Sequence, residues 1–134
     1  PRLSSAASDV YKRQVSMNPL LVLFCLKNDS SSVKALDMGS HFVINILSET
    51  QSKICDNFSN NKLDHFERFK EVETTSSINN IKIISNSIAW IECKTVDFVK
   101  AGDHNIYIGE VKDGEVVSHD KPLVYQEGEI KKII

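Results

Sequence analysis

The sequence predicts a mainly β fold, a barrel of short strands carrying two small helical inserts, and three observations point to it. Two long runs of alternating apolar and polar residues, Ile88–Val99 and Asn105–Val111, flank Gly102-Asp103-His104. Alternation on both sides of a Gly-Asp turn is the pattern of a β-hairpin. Two compact apolar runs, Leu20–Leu26 and His41–Leu47, have strand length rather than helix length. Helical signals are confined to two short stretches, which suits a barrel with inserts better than a βαβ fold.

The elements follow in order. Pro1–Gln14 has no clear apolar period and no cap leading into a helix. Its hexapeptide Asp9-Val10-Tyr11-Lys12-Arg13-Gln14 resembles a translated transposon-end adapter of the kind used in sequencing libraries. Residues 1–14 are therefore set aside as non-native. The domain is expected over 15–134, with native sequence starting near Val15 and its first strands missing. After Pro19, Leu20–Leu26 reads as a fully buried strand. Asp29-Ser30-Ser31-Ser32 offers caps for a short helix over Val33–Met38 that Gly39 stops. His41–Leu47 is the second strand. Ser48 with Gln51 three residues on has the form of a capping box and opens a helix through Ile54 to Phe58.

Ser59–Asn80 is polar, a loop with short helical turns packed by Phe66, Phe69 and Val72. Ile81–Ile84 is a short strand before the hairpin. Asp113-Gly114 is a second turn signal, with Val116-Val117 closing a further strand pair. Pro122–Tyr125 then leads to a last apolar segment, Ile130–Ile134.

Composition narrows the function classes. At 134 residues the chain fits one domain with one core. Its formal net charge is −2; the first fourteen residues carry +2, which leaves −4 on the rest. An acidic body argues against phosphate-backbone binding, so nucleic acid is not an expected partner. No apolar run approaches the roughly 20 residues that span a bilayer as a helix. Cys25, Cys55 and Cys93 are scattered, odd in number and set among apolar residues. They read as reduced, packed thiols of a cytoplasmic protein, core or half-buried. Neither a Cys-x-x-Cys nor a His-x-x-x-His spacing occurs, so no metal site is expected. No Gly-x-Gly-x-x-Gly occurs either, which removes a Rossmann nucleotide unit.

Five blocks in order carry a family resemblance: Val15–Cys25, Lys27–Ser32, His41–Leu47 with Gln51, Ile88–Cys93, and Gly102-Asp103-His104. Together they resemble the flavin reductase family of FMN-binding split barrels. The chain departs from that pattern at Leu20, where relatives usually have a second proline, and near Ile130, where they often have an aromatic. The strand that packs on the flavin ring in relatives precedes Val15.

The resemblance implies an NAD(P)H:flavin oxidoreductase. It would move a hydride from NADH or NADPH to FMN or FAD and act as a homodimer; relatives frequently supply the reduced flavin to a partner monooxygenase. The alternative is a split barrel that binds flavin without turnover. A pyridoxamine-phosphate oxidase shares the barrel, and the Gly-Asp-His hairpin argues for the reductase branch instead.

Lys27, Asn28, Ser30 and Ser32 resemble the loop that approaches the flavin phosphate. On residue chemistry alone Ser30 or Asp29 is a helix cap; the resemblance favours an anion site at the same place. Asp29 is then expected to point away and Lys27 to offset it. Asn45, in mid-strand, has two readings: a structural hydrogen bond, or an amide on the polar edge of the flavin ring. Gly102 and Asp103 form the cofactor-side turn. His104 is the candidate catalytic residue, placed by the resemblance near the nicotinamide, where it would orient the carboxamide or stabilise charge on the reduced ring. Without the resemblance it is an exposed residue after a turn. His41 begins a strand, and His65 and His119 are loop residues. Trp90 is a core or interface residue before it is a flavin-stacking one.

Overall fold

The computed structural model describes residues 14–126 and 128–131. Most of the segment set aside above, residues 1–13, and the end of the last apolar run, residues 132–134, lie outside these. Nine strands, two α-helices and one 3₁₀ helix make up the described chain. The expected mainly β architecture with short helical inserts is what forms. Strands β1 (Gln14–Met17), β2 (Leu20–Lys27), β3 (His41–Ile46), β6 (Ala89–Ala101) and β7 (His104–Val116) make one sheet in the order β1-β2-β7-β6-β3. Gln14, the last residue of the set-aside head, is already the first residue of β1. The chain divides into two compact units. One comprises residues up to Phe42 with Glu92–Asp113; the other comprises Val43–Ile91 with residues from Gly114 on.

In the first unit, β2 runs antiparallel to β7 from Leu21↔Glu110 to Lys27↔His104. The Gly-Asp turn predicted at 102–103 is formed, and Gly102 sits at φ +63°, a conformation that costs glycine little and other residues more. An aromatic row packs around Tyr107. Phe24 meets Phe42 edge-on at 5.2 Å and stacks on Tyr107 at 5.5 Å, and Phe98 lies 5.8 Å from the same tyrosine. Pairs of this kind contribute about 0.5–1.5 kcal/mol each beyond the area they bury. Tyr107, at the centre of the row, is buried, and so is Cys93. The Leu20–Leu26 run is only partly buried, and Cys25 is exposed, contrary to the packed thiol expected. An unbroken apolar run carries no period to mark its outward face.

The helix expected over Val33–Met38 is a 3₁₀ turn over Ser31–Leu36. It begins two residues early because Ser30 caps it, its Oγ accepting the Ser32 N–H at 3.3 Å. Gly39 follows at φ +80°.

In the second unit a buried amide, that of Gln51, joins separate segments. Helix α1 (Ser52–Ser59) starts after the predicted box, of which one half forms: Gln51 Oε1 accepts the Ser48 N–H at 2.9 Å. The Ser48 hydroxyl turns instead to Thr50 at 2.8 Å. Gln51 Nε2 donates to the Ser85 carbonyl at 2.9 Å, so one side chain ties the start of α1 to the segment before β6. The polar stretch 59–80 is more ordered than the loop expected of it. It holds helix α2 (His65–Phe69), capped by Asp64, and strand β4 (Thr74–Ser76), which pairs with β5 (Lys82–Ile84). Phe69 packs on Phe58 at 4.9 Å and beneath the Lys82 ammonium at 4.3 Å, whereas Phe66 is exposed. His65, expected in a loop, begins α2 and leans on Phe69. Strands β8 (Val124–Gln126) and β9 (Glu129–Lys131) form a terminal hairpin.

Asp113-Gly114 is not a turn. Strand β7 continues through it to Val116. The glycine serves close packing: a Cβ there would stand 2.9 Å from the Trp90 carbonyl oxygen and 3.0 Å from Ile91 Cγ2. A strand glycine under such an approach has the same local chemistry as a turn glycine, which is why the dipeptide misleads.

Candidate functional site

Seven of the eight candidate residues lie in the first unit, and cross-strand pairing brings them together. Lys27 ends β2 and His104 starts β7, and their Cα atoms are register partners. Beyond that pair the two connections are laced to each other. The Asn28 N–H donates to the Asp103 carbonyl at 2.9 Å, and Asn28 Nδ2 reaches the Gly102 carbonyl at 3.4 Å, across 74 positions of sequence. The segment Lys27–Ser32 and the turn Gly102–His104 therefore form one polar corner of the sheet.

Two side chains of that corner are paired. His104 Nδ1 and Asp103 Oδ1 are 2.7 Å apart, with the histidine side chain 42% exposed and the aspartate 80%. The histidine N–H and its charge hold the Asp103 carboxyl below the usual carboxylate range. Such a pair at the surface adds little stability. Its effect is on geometry, since it fixes which imidazole nitrogen faces the aspartate.

The Ser30–Ser32 segment offers hydroxyls, with Ser31, Ser32 and Lys27 exposed. Ser30 Oγ is engaged as an acceptor and retains its hydrogen for donation. The Lys27 cation and two hydroxyls fit a phosphate of a nucleotide-type cofactor, with exposed Asp29 as the opposing charge of the same segment. Among the described residues no cluster of His, Cys, Asp and Glu that could hold a metal is present.

Asn45 belongs to the second unit. Its Oδ1 accepts the Ile84 N–H at 3.0 Å, the structural bond of the two readings, and its Nδ2 hydrogens take no part in that bond. Trp90 is half-buried on β6, His41 begins β3 and His119 is exposed.

Sequence reasoning missed Asn105. It is 6% exposed, its Nδ2 donates to the Tyr107 hydroxyl at 3.2 Å, and its buried Oδ1 has no hydrogen-bond partner. An amide at an inward position of an alternating strand was the available signal. Cys93 is wholly buried, and burial pushes its thiol up to about 12, with the Glu92 charge adding to the effect. It is an inert core group.

The family profile of the flavin reductase like domain matches residues 11–133. A flavin reductase of Pseudomonas putida is 34% identical over 114 residues, covering 85% of this chain and 65% of that protein. The reductase subunit HsaB of a flavin-dependent monooxygenase from Rhodococcus jostii is 30% identical over 115 residues, covering 86% of this chain and 57% of its own length. The chain thus spans somewhat under two thirds of these relatives. Among solved structures, nitrilotriacetate monooxygenase component B from Mycobacterium thermoresistibile superposes with a TM-score of 0.82 at 32% identity, over 90% of this chain and 67% of that one. The mainly β fold is shared with that structure, which is consistent with the split barrel expected from the five sequence blocks. On the family match and the shared fold together, this chain belongs to the flavin reductase-like family.

Proposed function

We propose that the protein is an NAD(P)H-dependent flavin reductase that moves a hydride from nicotinamide to FMN or FAD. The observation that carries this reading is the polar corner where Lys27–Ser32 meets Gly102–His104. Family membership supports it, and so do the names of the relatives, which are flavin reductases and reductase subunits of monooxygenases. In this reading Lys27, Ser30 and Ser32 hold the flavin phosphate, with Asn28 bracing the turn formed by Gly102 and Asp103. The Asn45 Nδ2 hydrogens address the polar edge of the flavin. His104 acts at the nicotinamide side, orienting the carboxamide or donating to charge that gathers during transfer. When bound, the flavin supplies the redox chemistry; the protein contributes position, donors and exclusion of water.

The physiological reading extends this to a cytoplasmic homodimer whose reduced flavin serves a separate monooxygenase. Three unpaired cysteines suit a reducing compartment. No helix among the described residues is long and apolar enough to cross a membrane. NADH and NADPH oxidation, each measured with and without added FMN and FAD, tests the activity. Flavin-dependent oxidation is expected. Tight flavin binding without oxidation would favour a non-catalytic flavin-binding protein.

A further inference from the structure

We infer that Asp103 is a positioning residue: its carboxylate fixes the tautomer of His104, so that the neutral imidazole turns a hydrogen-bond acceptor, Nε2, toward the nicotinamide. The inference rests on the reductase reading and specifies how its central histidine would work. The geometry begins with the 2.7 Å contact between Asp103 Oδ1 and His104 Nδ1. An ionised carboxylate has no hydrogen to give, so the hydrogen of this bond belongs to Nδ1. In the neutral ring Nε2 then carries a lone pair.

A pairing of adjacent surface side chains is ordinarily loose, and its energy alone would not hold a ring in place. Here the backbone beneath it is fastened on both sides. Asn28 donates its N–H to the Asp103 carbonyl and its amide to that of Gly102, and His104 is already in the ladder opposite Lys27. Gly102 takes the left-handed conformation that lets the chain reverse there. The carboxylate and the imidazole therefore project from a fixed turn. What remains to be set is the rotation and protonation of the ring, and the short contact sets both.

The chemical consequence is specific. A carboxamide offers N–H donors, and the Nε2 lone pair accepts one of them while the ring is neutral. With the opposite tautomer Nε2–H would face the carboxamide as a donor and could pair only with its oxygen. Asp103 thus selects between two ways of reading the nicotinamide. Once the ring is protonated, Nε2–H becomes a donor to negative charge, with Asp103 balancing the imidazolium.

Histidine ring ¹⁵N spectra of the native protein and of Asp103→Ala test this without relying on turnover, with His104→Gln assigning the resonance. At a pH where His104 is neutral, the native protein should show the Nδ1–H form as the major one. In Asp103→Ala the ring should revert to the Nε2–H form that free histidine prefers. In steady-state assays the same variant should raise the nicotinamide KM about five- to tenfold, the equivalent of one hydrogen bond. A major Nε2–H form in the native protein, or an unchanged tautomer in Asp103→Ala, would overturn the inference. A native protein with Nδ1–H dominant but no flavin-dependent oxidation would instead defeat the reductase reading on which it rests.

Discussion

Replacing Gly109 by alanine should destabilise the first unit, by an amount the strand geometry sets. The glycine lies on β7, five positions beyond the histidine that starts the strand, where a Cβ would stand 2.8 Å from Phe42 Cζ, 3.4 Å from Phe42 Cε1 and 3.1 Å from Cys93 Cβ. The first two contacts involve a ring that can move only by disturbing its edge-on packing against Phe24, which in turn stacks on Tyr107. The third involves an atom bonded directly to the β6 backbone, so no rotamer change relieves it. Overpacking of this kind costs roughly 1–3 kcal/mol. Loss of glycine's freedom in the unfolded chain returns about 0.4–1 kcal/mol. The net expectation is a loss of about 1–2 kcal/mol, or roughly 3–10 °C in Tm for a domain of this size. Urea denaturation should show a lower midpoint with an unchanged slope, the signature of altered stability rather than altered compactness. Adding Phe42→Leu should recover part of the loss, because the two changes share a contact and are not additive. A Gly109→Ala protein as stable as its parent would mean that β7 and Phe42 are not packed as described.

Three further outcomes follow. Gln51→Ala removes the amide that serves both bonds and leaves the Ser48 N–H and the Ser85 carbonyl unpaired; a loss of roughly 2–4 kcal/mol is expected by denaturation, and a change under 0.5 kcal/mol would show that water replaces the side chain at little cost. Because the Cys93 thiol is raised to about 12 in the fold, the unfolded chain gives up this proton first as pH rises. Its contribution is therefore complete below about pH 9 and is lost toward pH 12, at up to about 1.4 kcal/mol per pH unit. Cys93→Ala should flatten that alkaline slope, and in thiol labelling at pH 8 exposed Cys25 should react quickly and Cys93 only on unfolding. His104→Ala should lower turnover by about 10²-fold, at the low end for loss of a positioned proton donor or acceptor, with flavin affinity moving far less; equal turnover would remove the histidine from the mechanism.

Much of this fold is written in local pattern. Alternation across Ile88–Val99 and Asn105–Val111 marks β6 and β7, and Gly102 is where the chain reverses. Pattern fails where local chemistry is ambiguous. Gly114 has the neighbours of a turn glycine but answers to the Trp90 carbonyl packed against it. The Leu20–Leu26 run does not say that Cys25 faces outward. Thr74–Ser76 is a strand because β5 pairs with it, not because three polar residues prefer extension. The candidate site shows the same division. Each of its segments is visible as a block, and the Asp103-His104 dipeptide announces a carboxylate beside an imidazole. That Asn28 fastens the turn depends on a register between distant strands, which no single stretch of residues encodes. The bond from the Ile84 N–H to Asn45 is equally hidden, since an amide in mid-strand does not name its partner.

The central claim is that this chain places flavin and nicotinamide together for hydride transfer. The most direct test is NADH and NADPH oxidation by the protein, followed at 340 nm with and without FMN or FAD. The account predicts oxidation that requires added flavin and falls sharply in His104→Ala. Saturable flavin binding with no oxidation of either nucleotide would contradict it.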